Sequence, residues 1–385
     1  MSATLITNIA ELVTNSANLG DGSLLGVVTN AALVVDNGYV AWVGNALDEP
    51  SCDERIDAQG CAIVPGFVDS HTHLVFAGSR DDEFAARMSG EAYDGGGILK
   101  TVSATRAAPE GALRELTKQR ALELRQSGVT TVEIKSGYDL TVDGEMRLLR
   151  LAGELTSETT FLGAHTVPRE YQGRRDEYVS LVANEMLTSC APLAKWADVF
   201  CDQGAFSVDE ARVILTAAQR AGLGIRLHGD QLAQSGGARL AAELGAASVD
   251  HCTYVTGTDL EALAASGTVA TLLPTAELFT RTGPTDARRF LDAGVSVAIA
   301  TDCNPGTSFV TNAVLTLQLA VTQMGLSVAE ALYAFTAGGA RALARSDVGG
   351  LAVGQRAHLA LLNGPRYVDL VYRANPQPFR RVLTF

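Results

Sequence analysis

Ala62-Ile63-Val64-Pro65-Gly66-Phe67-Val68-Asp69-Ser70-His71-Thr72-His73 runs an apolar segment directly into a pair of histidines, and that junction decides the fold. The run reads as a fully buried strand. Pro65 cannot donate to a ladder, so regular pairing is expected mainly over Phe67 to Ser70. In a strand, alternate side chains share a face, which puts His71 and His73 on one side, roughly 6 to 7 Å apart along the backbone. Two imidazoles so placed suit one metal ion. Six histidines in 385 residues give roughly 0.1 such pairs by composition alone, so the rest of the chain must supply the argument.

Seven further apolar runs follow: Thr130 to Lys135, Thr159 to Ala164, Ala197 to Cys201, Gly224 to Leu227, Ser248 to Asp250, Val269 to Leu273 and Val295 to Thr301. Helical patterns separate most of them, for example Glu110 to Gln126, Val208 to Ala221, Gly236 to Leu244 and Asp259 to Ala265. Alternating strands and helices imply a parallel sheet. Eight of them predict an α/β fold, a (β/α)8 TIM-like barrel over residues 62–340.

Both ends of the chain have β character. Thr4 to Ile9, Ala32 to Val35 and Tyr39 to Val43 read as strands, the last two flanking a hairpin signal at Asp36-Asn37-Gly38. Ala357 to Leu362, Tyr367 to Tyr372 and Arg381 to Thr384 repeat that flavour. Residues 1–61 and 341–385 are therefore expected to form one small β-sandwich domain. Phe76 to Ala108, with Gly95-Gly96-Gly97, is long for a single βα loop and falls where barrels build or cover their sites.

On this strand count, His71 and His73 end the first run, His165 the third, His228 the fifth and His251 the sixth, while Asp302 closes the eighth. Barrel active sites are assembled at that face. A lone histidine is more often a satisfied structural residue than a ligand, and His358 fits that description. Five at equivalent positions do not. Three neutral imidazoles with one carboxylate suit Zn²⁺ and could also hold Fe²⁺. Such an ion lowers the pKa of coordinated water to about 7, so the chemistry implied is hydrolysis.

A formal charge of −13 and a pI near 4.9 oppose broad attraction to nucleic acid or anionic membrane, which leaves small molecules as partners. No stretch approaches the roughly 20 apolar residues of a membrane span, and the first ten residues lack a signal-peptide pattern, so a cytoplasmic location is expected. The six cysteines form no CxxC pair, and most read as small buried hydrophobes.

With these residues in place, the chain resembles the amidohydrolase superfamily, most closely those members that open an imidazolone ring during histidine degradation. The likeness runs through PGFVDSHTHLVFAGSR (65–80), TTVEIKSGY (130–138), FLGAHTVP (161–168), DVFCDQGAFS (198–207), SVDHC (248–252) and ATDCNPGTS (300–308). It implies His71, His73, His228 and Asp302 as ligands of one divalent metal, Zn or Fe. Dinuclear relatives add a bridging lysine at the fourth strand, where this chain has Phe200-Cys201-Asp202. It further implies Asp302 as proton shuttle, His251 as the residue that orients or protonates the developing oxyanion and leaving group, and Arg80 as a clamp for a substrate carboxylate tail. Tyr138, His165, Asn304, Gly306 and Thr307 match positions that touch the substrate. A homodimer is also implied.

One position departs from the pattern. Many relatives carry glutamate three residues after the fifth-strand histidine; here that residue is Gln231, which cannot accept a proton at neutral pH. Binding, and not base catalysis, is transferred to it. Asp230 beside it is expected to be structural. The alternatives are a related amidohydrolase or deaminase acting on another cyclic amide or heterocycle, and a catalytically silent binding protein of the same fold.

Overall fold

The computed structural model describes residues 3–90 and 97–385. Gly95 and Gly96 of the glycine triplet lie outside them.

The opening run is divided between two sheets. Ile63–Pro65 pairs antiparallel with His358–Leu362 and parallel with Thr4–Val13, whereas Phe67–Asp69 pairs parallel with Val129–Val132. Gly66 makes the crossing, and a Cβ there would meet the Thr130 side chain at 2.3 Å. The first of these sheets runs Phe379–Thr384, His358–Leu362, Ile63–Pro65, Thr4–Val13, Val27–Asp36, Tyr39–Asn45, with Glu54–Asp57 also against Thr4–Val13. Both chain ends therefore share one sheet and a core of their own, which includes Ile6, Ile9, Leu33, Val35, Ile63 and Leu359. At the predicted hairpin, Asn37 and Gly38 both take positive φ (49° and 83°), the pair of left-handed residues that a tight two-residue turn requires. Tyr367 to Tyr372 is not a strand: Asp369–Tyr372 is a short helix, held by backbone bonds to Arg366 and Val368 that local turn chemistry favours over a ladder.

The parallel strands are named here β1 (Phe67–Asp69), β2 (Val129–Val132, resuming at Ile134–Lys135), β3 (Thr159–Ala164), β4 (Trp196–Cys201), β5 (Gly224–Gly229), β6 (Ser248–His251), β7 (Val269–Leu272) and β8 (Val297–Ile299). From Ile134–Lys135 to β8 they form one curled sheet in sequence order, each hydrogen-bonded to the next. Every residue of β3 and β4 is buried, which is why these strands read as unbroken apolar runs. Beyond β1 the chain stays extended: His73 N–H donates to Cys303 O (3.0 Å), Asp302 N–H to His71 O (3.1 Å) and Lys135 N–H to Thr72 O (3.0 Å). The His71–His73 segment thus lies between the end of β2 and the segment after β8.

Amphipathic helices cover the sheet. Val208–Arg220, for instance, starts at a reciprocal Ser207–Glu210 cap and buries Ala211, Ile214, Leu215 and Ala218, a spacing that forms one stripe. Burying Ile214 or Leu215 contributes about 1.5–3 kcal/mol, and losing the Ser207 cap costs about 1 kcal/mol. The Phe76 to Ala108 segment is not one loop. Its described part holds helices at Asp81–Met88 and Ile98–Ala107, the second burying Ile98, Thr101, Val102 and Thr105.

Candidate active site

At the carboxyl ends of the parallel strands, the residues expected from sequence converge. His71 Nδ1 lies 2.7 Å from Asp250 Oδ2, and His228 Nδ1 lies 3.0 Å from Asp198 Oδ1. A carboxylate can only accept, so each Nδ1 carries its hydrogen and each Nε2 presents a lone pair inward. Those two Nε2 atoms each lie 3.3 Å from His73 Nε2, and Asp302 Oδ1 is 3.4 Å from His71 Nε2 and 3.6 Å from His73 Nε2. All four side chains are buried. Ring nitrogens and a carboxylate oxygen brought this close together suit a shared cation. An ion with arms of about 2.0–2.1 Å sets tetrahedral ligands roughly 3.3–3.4 Å apart, close to the separations among His71, His73 and Asp302, which come within 4.8 Å of one another as a group. The Nε2 or Nδ1 of His251 can join His71 and His228 within 4.8 Å of one another.

Backbone strain marks the same place. His251 (φ 79°), Cys252 (60°), Asp302 (51°) and Asp230 (54°) are all left-handed without being glycine, at about 1–3 kcal/mol each. For Asp230 the return is evident: its carboxylate accepts from the N–H groups of Ser235, Gly236 and Ala238, the structural role expected of it.

The electrostatics keep most of the imidazoles neutral. Burial pushes His251 and His165 down to about 3, in both cases with His228 adding to the effect, and holds His73 well below its ordinary value. His71 differs: burial and Lys135 press it down, but Asp250 and Asp302 prevail and raise it to about 9. A metal ion would take the place of that proton. Burial raises the Asp302 carboxyl, and the His71 hydrogen bond and charge more than offset this, leaving it below its ordinary value. Burial pushes the Cys201 thiol up to about 12 and Cys252 and Cys303 well above their usual range, which disfavours a thiolate at these three positions.

One cavity is lined by His73, Arg80, Tyr138, His165, His228, Gln231, His251, Asp302, Asn304 and Thr307, together with Ile98 and Phe200, two apolar walls that the sequence did not single out. Arg80 Nε and Nη2 donate to Glu83 at 2.9 and 2.7 Å. His165 stacks on His73 with ring centroids 5.3 Å apart, and its Nδ1–H donates to Gly137 O at 2.9 Å. The loop bearing Tyr138 is pinned by Glu145, which accepts from the N–H groups of Gly137, Asp139 and Leu140. Gln231 is fixed through its own N–H, donated to Asp202 at 2.6 Å. Asn304 lines the cavity, yet its amide mainly stitches its loop: Oδ1 accepts from Gly306 and Thr307 N–H, and Nδ2 donates to Asp302 O. Gly306 does not line the cavity. It lies against Arg80, where a Cβ would fall 2.1 Å from Nη1.

Sequence reasoning missed the charged layer beneath these groups: Glu133, Lys135, Asp198, Arg226 and Asp250, all fully buried. Glu133 and Lys135 share a strand face, and Arg226 lies two residues before His228 on the same face. Charges inside otherwise apolar strands, in register with the ligand positions, were the available signal.

Imidazoles and a carboxylate gathered at the ends of parallel strands define a hydrolase of the amidohydrolase kind. The amidohydrolase family matches residues 62–380. An imidazolonepropionase from Salinispora arenicola is 57% identical over 385 residues, covering 100% of this chain and 98% of the relative. One from Mycolicibacterium smegmatis is 54% identical over 373 residues, 97% of this chain and 94% of the relative. Among solved structures, the atrazine chlorohydrolase of Arthrobacter aurescens, complexed with zinc, superposes with a TM-score of 0.75 at 20% identity, over 99% of this chain and 94% of that one. An adenosine deaminase from Xanthomonas campestris with bound zinc gives 0.71 at 20% identity, over 99% and 91%. Those two show the shared fold. The chain belongs to the amidohydrolase family, in its imidazolonepropionase branch.

Proposed function

We infer that the chain hydrolyses the cyclic amide of 4-imidazolone-5-propanoate to N-formimidoyl-L-glutamate. The observation that carries this is the 57% identity to an imidazolonepropionase over the full chain, together with the close approach of His71, His73, His228 and Asp302 beside a cavity that Arg80 lines.

A single Zn²⁺ or Fe²⁺ would be held by His71, His73, His228 and Asp302, and would supply a water nucleophile at neutral pH and polarise the ring carbonyl. The remaining work falls to the chain. Asp302, low in pKa and already bonded at Oδ2 by the Thr307 hydroxyl (3.3 Å), takes the proton from the attacking water and delivers it to the leaving nitrogen. His251, kept neutral by burial, orients the oxyanion through an N–H donor. Arg80 binds the propionate tail, and Tyr138 and His165 hold the ring. The Gln231 amide can donate to substrate but cannot act as the base.

Further parts of the reading are proposals of the same kind. Backbone bonds from His71, Thr72 and His73 to both neighbouring segments support a closed (β/α)8 barrel over 62–340. The separate core of the terminal sheet supports a small β-sandwich domain from 1–61 and 341–385, with Ile63–Pro65 as the shared strand. We also propose a cytoplasmic homodimer. Among the described residues no helix is long and apolar enough to cross a membrane.

The test is metal analysis of the purified protein coupled to an ultraviolet assay of imidazolone propionate consumption, with guanine and dihydroorotate as competitors for the role of substrate. Bound metal without turnover would shift the assignment to a related amidohydrolase. Asp302→Asn should lower turnover by about 10² to 10⁴. Normal turnover with metal retained would remove Asp302 from the proton path.

A further inference from the structure

Lys135 is a primary ammonium with no exposed surface, carried on the last residue of β2. Its Nζ lies 2.9 Å from Asp198 Oδ2, 3.0 Å from Glu133 Oε1 and 3.9 Å from Asp250 Oδ2. Two of these carboxylates are the ones that orient imidazoles: Asp198 faces His228 with its other oxygen, and Asp250 Oδ2 is shared with His71. The third, Glu133, uses Oε2 to accept the Thr72 N–H at 3.1 Å, between the two histidines of the opening pair. One cation therefore touches the acids that accept from His71 Nδ1, His228 Nδ1 and the Thr72 N–H.

Three carboxylates converging in a dry interior repel one another, and each unpaired charge there is costly. Arg226 contacts only Asp250 of the three, at 3.3 and 3.5 Å, and acts on Glu133 and Asp198 from farther off. Without Lys135, Asp198 Oδ2 loses its only ion-pair partner among the described residues, and that oxygen accepts no hydrogen bond there to take its place. Asp198 would then be held through Oδ1 alone, which accepts from the His228 backbone N–H at 3.1 Å and from its Nδ1–H at 3.0 Å, and a buried charge left unbalanced at Oδ2 would loosen the setting of the His228 ring.

We propose that Lys135 is a positioning residue for the metal-dependent reaction: acting through Asp198, Asp250 and Glu133, it holds His71 and His228 with Nδ1 protonated and Nε2 turned to the common centre. This rests on the reading of those histidines as metal ligands. Lys135 neither lines the cavity nor stands among the candidate ligands. Its action is to set the rings that do.

The full chain is stripped of metal, and Zn²⁺ affinity is measured by competition with a chromophoric chelator for wild type, Lys135→Met, Asp198→Asn and the Lys135→Met/Asp198→Asn pair. Thermal melts of the metal-free proteins report folding. Lys135→Met should weaken Zn²⁺ binding by about 10- to 100-fold, and the pair should lose less than the product of the two single losses, because the substitutions break one route. Wild-type affinity in a folded Lys135→Met protein, or fully multiplicative losses, would overturn the proposal. If Lys135→Met does not fold, the same measurement is made on Lys135→Met/Glu133→Gln, which removes one charge of each sign. If that variant also fails while metal-free wild type is folded, Lys135 is a folding residue and the proposal is wrong. Wild type that takes up no Zn²⁺ would instead remove the metal reading itself.

Discussion

At the scale of single residues, the site separates groups by what each can still donate or accept. His71 and His228 spend Nδ1 on carboxylates, so only Nε2 is left for the centre. Arg80 keeps its charge in a buried position beside Glu83, which holds the guanidinium plane without closing the cavity that Arg80 lines. Replacing it removes one charge-assisted pair with the substrate tail, about 1.5–3 kcal/mol. Arg80→Met should therefore raise KM for the propionate-bearing substrate roughly 10- to 100-fold and leave a tail-less analogue nearly unaffected. Steady-state kinetics on both compounds decide this, and equal effects would remove the tail clamp. The ligand-bearing histidines were legible in the sequence because each stands at the end of an apolar run. Lys135 and Asp198 were not, because a charge inside a strand is recognisable as part of a network only when it is seen beside its distant partner, and these two, paired with each other, stand more than sixty residues apart.

At the scale of elements, strands were easier to read than what joins them. The continuous burial of β3 and β4 leaves a plain apolar signature, and Glu110–Gln126 has the predicted bounds because Pro109 opens it and Gly128, at φ 102°, follows its end. The opening run misled in one respect: burial alone cannot tell that Ile63–Pro65 and Phe67–Asp69 serve different sheets, since both are apolar and only the turn at Gly66 parts them. The loop after β8 gives a prediction of its own. Gly306 leaves room for Arg80 Nη1, 2.1 Å from where a Cβ would sit, and the clash falls on the far end of a flexible side chain and not on backbone. Gly306→Ala should fold with its melting temperature nearly unchanged while the displaced guanidinium raises KM several-fold, kcat changing less. Kinetics and a thermal melt on the same sample test this, and an unaltered KM would show that the loop does not set the arginine.

At the scale of the whole molecule, burying five histidines in one acidic chain links its stability to pH. His165 and His251 fall to about 3 and His358 to about 4, each from 6.5, with burial as the main cause. A group whose folded pKa is depressed contributes stability that is complete above its unfolded value and lost as pH drops toward the folded one, so these three weaken the fold progressively from pH 6.5 to about 3. His71 works the other way. Raised to about 9 by Asp250 and Asp302 against burial, its contribution is complete below 6.5 and is lost as pH climbs through 9. Each group can tilt the curve by up to about 1.4 kcal/mol per pH unit. Metal-free protein should accordingly melt highest near pH 6.5 and lower on both sides. Saturating Zn²⁺ replaces the His71 proton and binds more tightly as protons are withdrawn, so it should abolish the alkaline decline and leave the acid one. Melting curves from pH 4 to 9, with and without Zn²⁺, test both limbs: a metal-free curve flat across that range would refute the histidine account, and an alkaline decline that persists under saturating Zn²⁺ would separate His71 from the ion.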